Sequence, residues 1–149
     1  MAFTSHMSVA LEEARAAAAR GEVPVGAVVL SPEGAVLARA GNRTRELDDP
    51  SAHAEMLAIR AACAALGAER LTGCDLYVTL EPCAMCAGVI AHARLARVYF
   101  GAADPKSGGT LHGARVFSHP QSHHRPEIYD GIDAAACEAL LKDFFADRR

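Results

Sequence analysis

Four residues of this chain have the types and spacing to do chemistry together. His53 and Glu55 stand in "HAEM" (53–56), and Cys83 and Cys86 stand in "EPCAMC" (81–86). A Cys-x-x-Cys pair at a helix start puts both sulfurs on one turn, where unpaired backbone N–H groups favour thiolates. Thiolates are what zinc binds, but two sulfurs are too few for a site. His53, at another expected helix start after an irregular loop, supplies a nitrogen. One nitrogen and two sulfurs with the fourth position open is a usual catalytic zinc set, whereas a structural site is closed by four protein ligands. No second Cys-x-x-Cys and no His pair with finger spacing is present to close it. A water in the open position has its pKa lowered to roughly 7. Glu55, two residues beyond His53, is nearly across the helical turn and does not readily ligate beside it. From a frayed first turn it can still reach the open position and act there as general acid and base.

Taken singly, each residue has a plainer reading. A histidine at a helix start caps or faces water, a first-turn glutamate is a surface charge favoured by the helix dipole, and a lone Cys-x-x-Cys can be a redox pair. Order, spacing and helix-start context together favour one site. The other cysteines have no ligand spacing. Cys63 and Cys137 fall on apolar stripes and are expected to be buried small hydrophobes, and Cys74 is expected to begin a buried strand. Five cysteines, with no basic-plus-apolar leader, argue against a disulfide framework and for a reducing cytoplasm.

The elements that must position these residues follow from periodicity and punctuation. Residues 5–20 read as a helix with Met7, Leu11, Ala14 and Ala18 in phase, Glu12 and Glu13 early, and Gly21 as its stop. "SHM" (5–7) fits either a cloning scar or a native helix start. "VGAVVL" (25–30) reads as a strand buried on both faces and "AVLARA" (35–40) as its hairpin partner across "SPEG". After the polar 41–52 segment a helix begins near His53, with Met56, Ile59, Cys63 and Leu66 as its stripe and Gly67 at its end. "CDLYVTL" (74–80) is a third strand. Pro82 then fits the first turn of a helix running to about His92, and "RVYFG" (97–101) is a fourth strand. Residues 101–126 have no clear period, which in a compact domain marks a functional or disordered loop. The last helix starts near Asp133 as N-cap, with Cys137, Leu140, Leu141, Phe144 and Phe145 on its apolar side. Helices on both faces of a mixed sheet, a three-layer α/β/α sandwich, is the packing this order requires.

Bulk properties agree. The 149 residues suit a single domain, with 51% apolar and 22% charged residues. No apolar run nears the roughly 20 residues of a membrane span. The net charge of −3 is not the footprint of a nucleic-acid binder, though a local basic patch suffices for one.

The motifs also carry a resemblance. "EVPVGAVV" (22–29), "GNR" (41–43), "AHAE" (52–55), "LYVTLEPCAMCAGVI" (76–90), "RVYFGAADPKSG" (97–108) and "LLKDFF" (140–145) make the chain similar to the zinc-dependent nucleoside and base deaminases. Within these it resembles the bacterial tRNA-specific adenosine deaminases. The "DPKSG" loop and "DFF" separate it from cytidine deaminases better than the metal motif does. The resemblance implies a cytidine deaminase-like fold and one Zn2+ per subunit on His53, Cys83 and Cys86. Glu55 would shuttle the proton as water replaces the amine at C6 of adenine, leaving inosine and ammonia. Asn42 would hydrogen-bond the flipped nucleoside, the backbone around Ala54 would read the base edge, and Val25 and Leu80 would line the pocket. The implied substrate is adenosine at position 34 in the anticodon stem-loop of an arginine tRNA. The implied assembly is a homodimer, with the RNA near the subunit interface. Asp104 and Lys106 resemble positions bordering the anticodon loop. Phe144 and Phe145 are either core or a wall for a splayed base. His119, Arg125, Arg148 and Arg149 add polar or phosphate contacts or are solvated surface. Many members carry a longer lysine-rich tail than "FFADRR", a departure from the family pattern that leaves the strength of phosphate binding open. Two rivals stand beside this reading: a guanine or cytosine deaminase acting on free base, and a zinc-stabilised binding module without catalysis.

Overall fold

The structure, a computed structural model, describes residues 3–148; Arg149, one of the expected RNA contacts, lies outside them. The order is α1 (Met7–Ala19), β1 (Gly26–Leu30), β2 (Val36–Gly41), α2 (Ala54–Leu66), β3 (Asp75–Leu80), α3 (Ala84–Ala93), β4 (Arg97–Ala102), a 3-10 turn (Val116–Ser118), β5 (Glu127–Tyr129) and α4 (Ala134–Ala146). The strands form one sheet in the order β2-β1-β3-β4-β5. It is antiparallel from β2 through β1 to β3 and parallel from β3 through β4 to β5.

Alternation along β1 shows how the layers form. Ala27 and Val29 point into one apolar cluster, shared with Ala58, Ile59 and Ala62 of α2 and Ala87 and Ile90 of α3. Val28 and Leu30 point into the other, shared with Met7, Ala10 and Leu11 of α1 and Cys137 of α4. A strand buried on both faces reads as a continuous apolar run, and all five residues of β1 are buried. The result is the expected α/β/α sandwich on a mixed sheet. Met7 is fully buried as the first residue of α1, His6 is the N-cap, and the Ser5 hydroxyl accepts the Met7 N–H.

Several local expectations change. The stripe expected on α2 is only in part its buried face, with Ile59 inside as expected. Ala54, Glu55, Ala58, Ile59 and Ala62 face inward, while Leu66 is exposed and Cys63 only half-buried. Small alanines let the helix lie close to the sheet, and their weak apolar signal is masked by larger neighbours. On α1 the buried run likewise ends on Ala17 rather than Ala18. Glu12 and Glu13 fall beyond its first turn and pair with Arg39 of β2. Pro82 precedes the N-cap of α3 rather than sitting in its first turn, because Cys83 takes the cap position. Asp133 occupies the N-cap of α4 in the left-handed region (φ 53°) and makes no side-chain cap bond. Cys74 and Cys137 are buried as expected.

The aperiodic 101–126 stretch holds the 3-10 turn, and β5 follows it unforeseen. β5 is three residues long and its two end side chains are exposed. Cross-strand pairs hold it in register: Tyr129 stacks on Tyr99 (centroids 5.0 Å), which stacks on Tyr77 (4.3 Å). Two residues earlier on each strand, Arg97 lies between Asp75 and Glu127.

This topology gathers the chemistry at one end of the sheet. The ends of β3 and β4, the start of β1 and the end of β2 share that end, and α2 and α3 begin there. Crevices beyond the carboxyl ends of parallel strands are where α/β folds bind ligands.

Candidate metal centre and catalytic site

His53 and Cys83 are the N-caps of α2 and α3, both in extended backbone (φ −72° in each), and neither side chain makes a cap hydrogen bond. An N-cap side chain ordinarily accepts a first-turn N–H; these two turn to each other instead. The His53 Nδ1 lies 3.6 Å from Cys83 Sγ and 3.5 Å from Cys86 Sγ. All three ligand atoms fall within 4.8 Å of one another. A nitrogen at about 2.0–2.1 Å and a sulfur at about 2.3 Å from a tetrahedral zinc lie about 3.5–3.6 Å apart. The cluster therefore fits zinc by both donor type and spacing, and among the described residues no fourth His, Cys, Asp or Glu joins it.

The cap that His53 gives up is supplied from elsewhere. Asn42 Oδ1 accepts the Ala54 N–H at 2.8 Å, and the Asn42 N–H donates to the Val25 carbonyl. The loop between is tied down by Glu22, a buried carboxylate that accepts the N–H groups of Arg45 and Glu46. Asn42, Ala54, Val25 and His53 thus form one connected wall. Leu80 approaches from the end of β3, one residue before Glu81-Pro82-Cys83.

Glu55 is 3% exposed, on the sheet-facing side of α2. Desolvation pushes its carboxyl up to about 7, against the lowering influence of its own backbone N–H and of His53. A carboxyl poised near neutrality can both take and give a proton. Bonding from the Cys86 thiol, then from His53, holds Cys83 down at about 3, while the same bond to Cys83 and desolvation raise Cys86. The bond to Cys83 raises His53.

Glu81 and its partners escaped the sequence reading. Its fully buried carboxylate accepts the N–H groups of Asp104, Thr110, Leu111 and His112, the Thr110 hydroxyl and His112 Nδ1. Burial works to raise its pKa, but bonds from Asp104, His112 and Thr110 prevail and hold it below the usual carboxylate value. "LEPC" displays the glutamate, but the donors come from 23 or more residues downstream, which no local pattern reports.

The expected RNA contacts are dispersed. Asp104 is bound to Glu81 beside the metal cluster, and Lys106 is exposed on the same loop. His119 lies near the far end of α3, in a cleft of about 320 Å³ with His92 and Arg94, roughly 15 Å along the helix from Cys83. Arg125 is spent on the Phe117 carbonyl. The two phenylalanines split: Phe144 is buried and Phe145 is 52% exposed. The Arg148 guanidinium sits 3.6 Å from the Phe144 ring centroid.

Comparison with known proteins fits this geometry. Residues 3–102 match the family described as the cytidine and deoxycytidylate deaminase zinc-binding region. The chain is 54% identical to the tRNA-specific adenosine deaminase of Agrobacterium fabrum, over 98% of this chain and 95% of that one. A solved structure from studies of A-to-I editing by tRNA:A34 deaminases superposes with a TM-score of 0.89 at 56% identity, covering 91% of this chain and 97% of the other. The guanine deaminase of Bacillus subtilis superposes less closely, with a TM-score of 0.64 at 30% identity over 97% and 94% of the two chains.

Proposed function

This chain belongs to the cytidine and deoxycytidylate deaminase family, and from that membership we propose that it hydrolyses adenosine to inosine at the wobble position, 34, of a tRNA. The observation that carries the chemistry is a buried Glu55 hydrogen-bonded to Cys86, one corner of a His53–Cys83–Cys86 triangle of zinc dimensions. The similarity at 54% to a tRNA-specific adenosine deaminase, against 30% to a guanine deaminase, favours the tRNA substrate over a free base. The catalytic glutamate and the matched deaminase region likewise speak against a binding module without catalysis.

His53, Cys83 and Cys86 hold the metal. Bound there, zinc supplies Lewis-acid activation of a water at neutral pH. Glu55 takes one proton from the water that attacks C6 and delivers it to the ring nitrogen, then takes the second from the hydroxyl now on C6 and delivers it to the departing amine. Adenosine and water become inosine and ammonia. The Asn42 side chain, already fixed through its Oδ1 to Ala54, hydrogen-bonds the flipped nucleoside. The backbone around Ala54 reads the base edge, with Val25 and Leu80 as walls.

Asp104 and Lys106 border the anticodon loop. Of the terminal aromatics, Phe145 has the exposed ring for a splayed base, while His119 and Arg148 act at the margin of the RNA site. The substrate is an arginine tRNA, the working form a cytoplasmic homodimer with one zinc per subunit, and the whole chain one deaminase domain. No helix among the described residues is long and apolar enough to cross a membrane. Incubation with an arginine anticodon stem-loop carrying adenosine 34, followed by nucleoside analysis, tests the proposal: inosine is expected, and unchanged adenosine would refute it.

A further inference from the structure

A buried carboxylate needs partners, and Glu81 takes all of its own from one segment. Six donor contacts converge on its two oxygens, from 2.7 Å (His112 Nδ1) to 3.3 Å (Thr110 N–H). Every donor belongs to residues 104–112, the stretch that carries Asp104 and Lys106. The same stretch is seated on the ligand helix. The Gly109 N–H donates to the Pro82 carbonyl at 2.7 Å. A Cβ on Gly109 would meet Ala84 N at 2.4 Å and the Cys83 carbonyl carbon at 2.7 Å, so only glycine permits this approach. Gly108 is equally close, its missing Cβ lying 2.6 Å from the Glu81 carboxylate. Thus one side chain, two residues before a metal ligand, ties an otherwise irregular loop to the first turn of α3.

We propose that Glu81 is a positioning residue for the reaction: its carboxylate sets the 104–112 loop against the Cys83 turn and thereby fixes the RNA-gripping edge of the site relative to the metal centre. This rests on the RNA-deaminase reading, since it is the stem-loop that the loop must meet. The Glu81 carboxylate is taken up by protein donors of 104–112 and is not one of the clustered metal-ligand groups. Glutamine is the informative replacement. It keeps the shape and one acceptor oxygen, but turns an NH2 toward donors that need an acceptor.

The test combines steady-state kinetics on an adenosine-34 stem-loop, zinc content, and amide hydrogen exchange across 104–112. Glu81→Gln should keep one zinc per chain and a kcat within about threefold of wild type, while KM rises about tenfold or more. The amides of Asp104, Thr110, Leu111 and His112 should exchange faster. Thr110→Val, which removes a single hydroxyl donor, should raise KM by a smaller factor. A purely structural role would lower kcat and zinc content together at constant KM, and that result overturns the proposal. So does unchanged exchange, or wild-type KM in Thr110→Val should Glu81→Gln fail to fold. Wild type runs alongside: if it makes no inosine, the RNA-deaminase reading fails and this inference with it, whereas active wild type with unaltered variants removes only the role of Glu81.

Discussion

Glu55 is held in a position that disfavours its own charge. It faces the sheet side of α2 at 3% exposure, and burial is the main reason its carboxyl rises to about 7. Such a group is retained for chemistry rather than for stability. Glu55→Gln should therefore bind zinc and stem-loop normally while single-turnover deamination falls by about 10²–10⁴-fold or more; a rate within tenfold of wild type would remove it from the mechanism. The cysteines divide as sharply. Cys86→Ala should lose zinc, and thermal stability with it, because metal binding is coupled to folding. Cys137, buried between α4 and β4, should keep full zinc as Cys137→Ala. Elemental analysis of both variants decides: full occupancy in Cys86→Ala contradicts the ligand set. These residues were legible in the sequence because ligand types at fixed offsets from helix starts are a local signal. The direction of Glu55 was only half legible: its place in the first turn is local, but its burial beside Cys86 is a consequence of how α2 lies on the sheet. Glu81 was not legible at all, since its meaning lies in a loop that folds back from 23 residues or more downstream.

At the scale of elements, strands with continuous apolar runs and helices ended by glycine were readable, and β1 and the αL Gly67 cap are examples. Elements whose stability is tertiary were not. β5 exists because Tyr129 and Glu127 have partners on β4, and three residues carry no period. The face of α2 was legible only at Ile59 for a related reason: alanine identifies a helix but not which side of it is crowded. The end of α4 supplies a test. Phe144 is packed and carries Arg148 on its ring, so Phe144→Ala should lower stability by about 2–4 kcal/mol. Phe145 is exposed, so Phe145→Ala should change stability by less than about 0.5 kcal/mol yet raise KM for the stem-loop. Denaturant melts with parallel kinetics would separate the two, and equal effects on stability would contradict the split between them.

As a whole the molecule is acidic, with 18 Asp and Glu against 15 Lys and Arg, and its proposed RNA edge is a small set of residues around Lys106 and the end of α4. Few phosphates are then neutralised on binding. The logarithm of stem-loop affinity should fall with the logarithm of salt concentration with a slope of about −2 to −4, measurable by fluorescence anisotropy; a slope near −10 would contradict so small a set of contacts. The fold class was readable because element order alone restricts the packing of helices on a mixed sheet, whereas substrate identity was readable only through resemblance, since the metal motif serves bases, nucleosides and RNA alike. The most direct measurement sets those substrates side by side. Zinc-loaded protein is given an adenosine-34 anticodon stem-loop, guanine and cytosine in parallel, and products are resolved by nucleoside and base chromatography. Inosine from the stem-loop, with guanine and cytosine untouched, is the predicted result; rapid turnover of a free base with adenosine 34 intact would contradict the account.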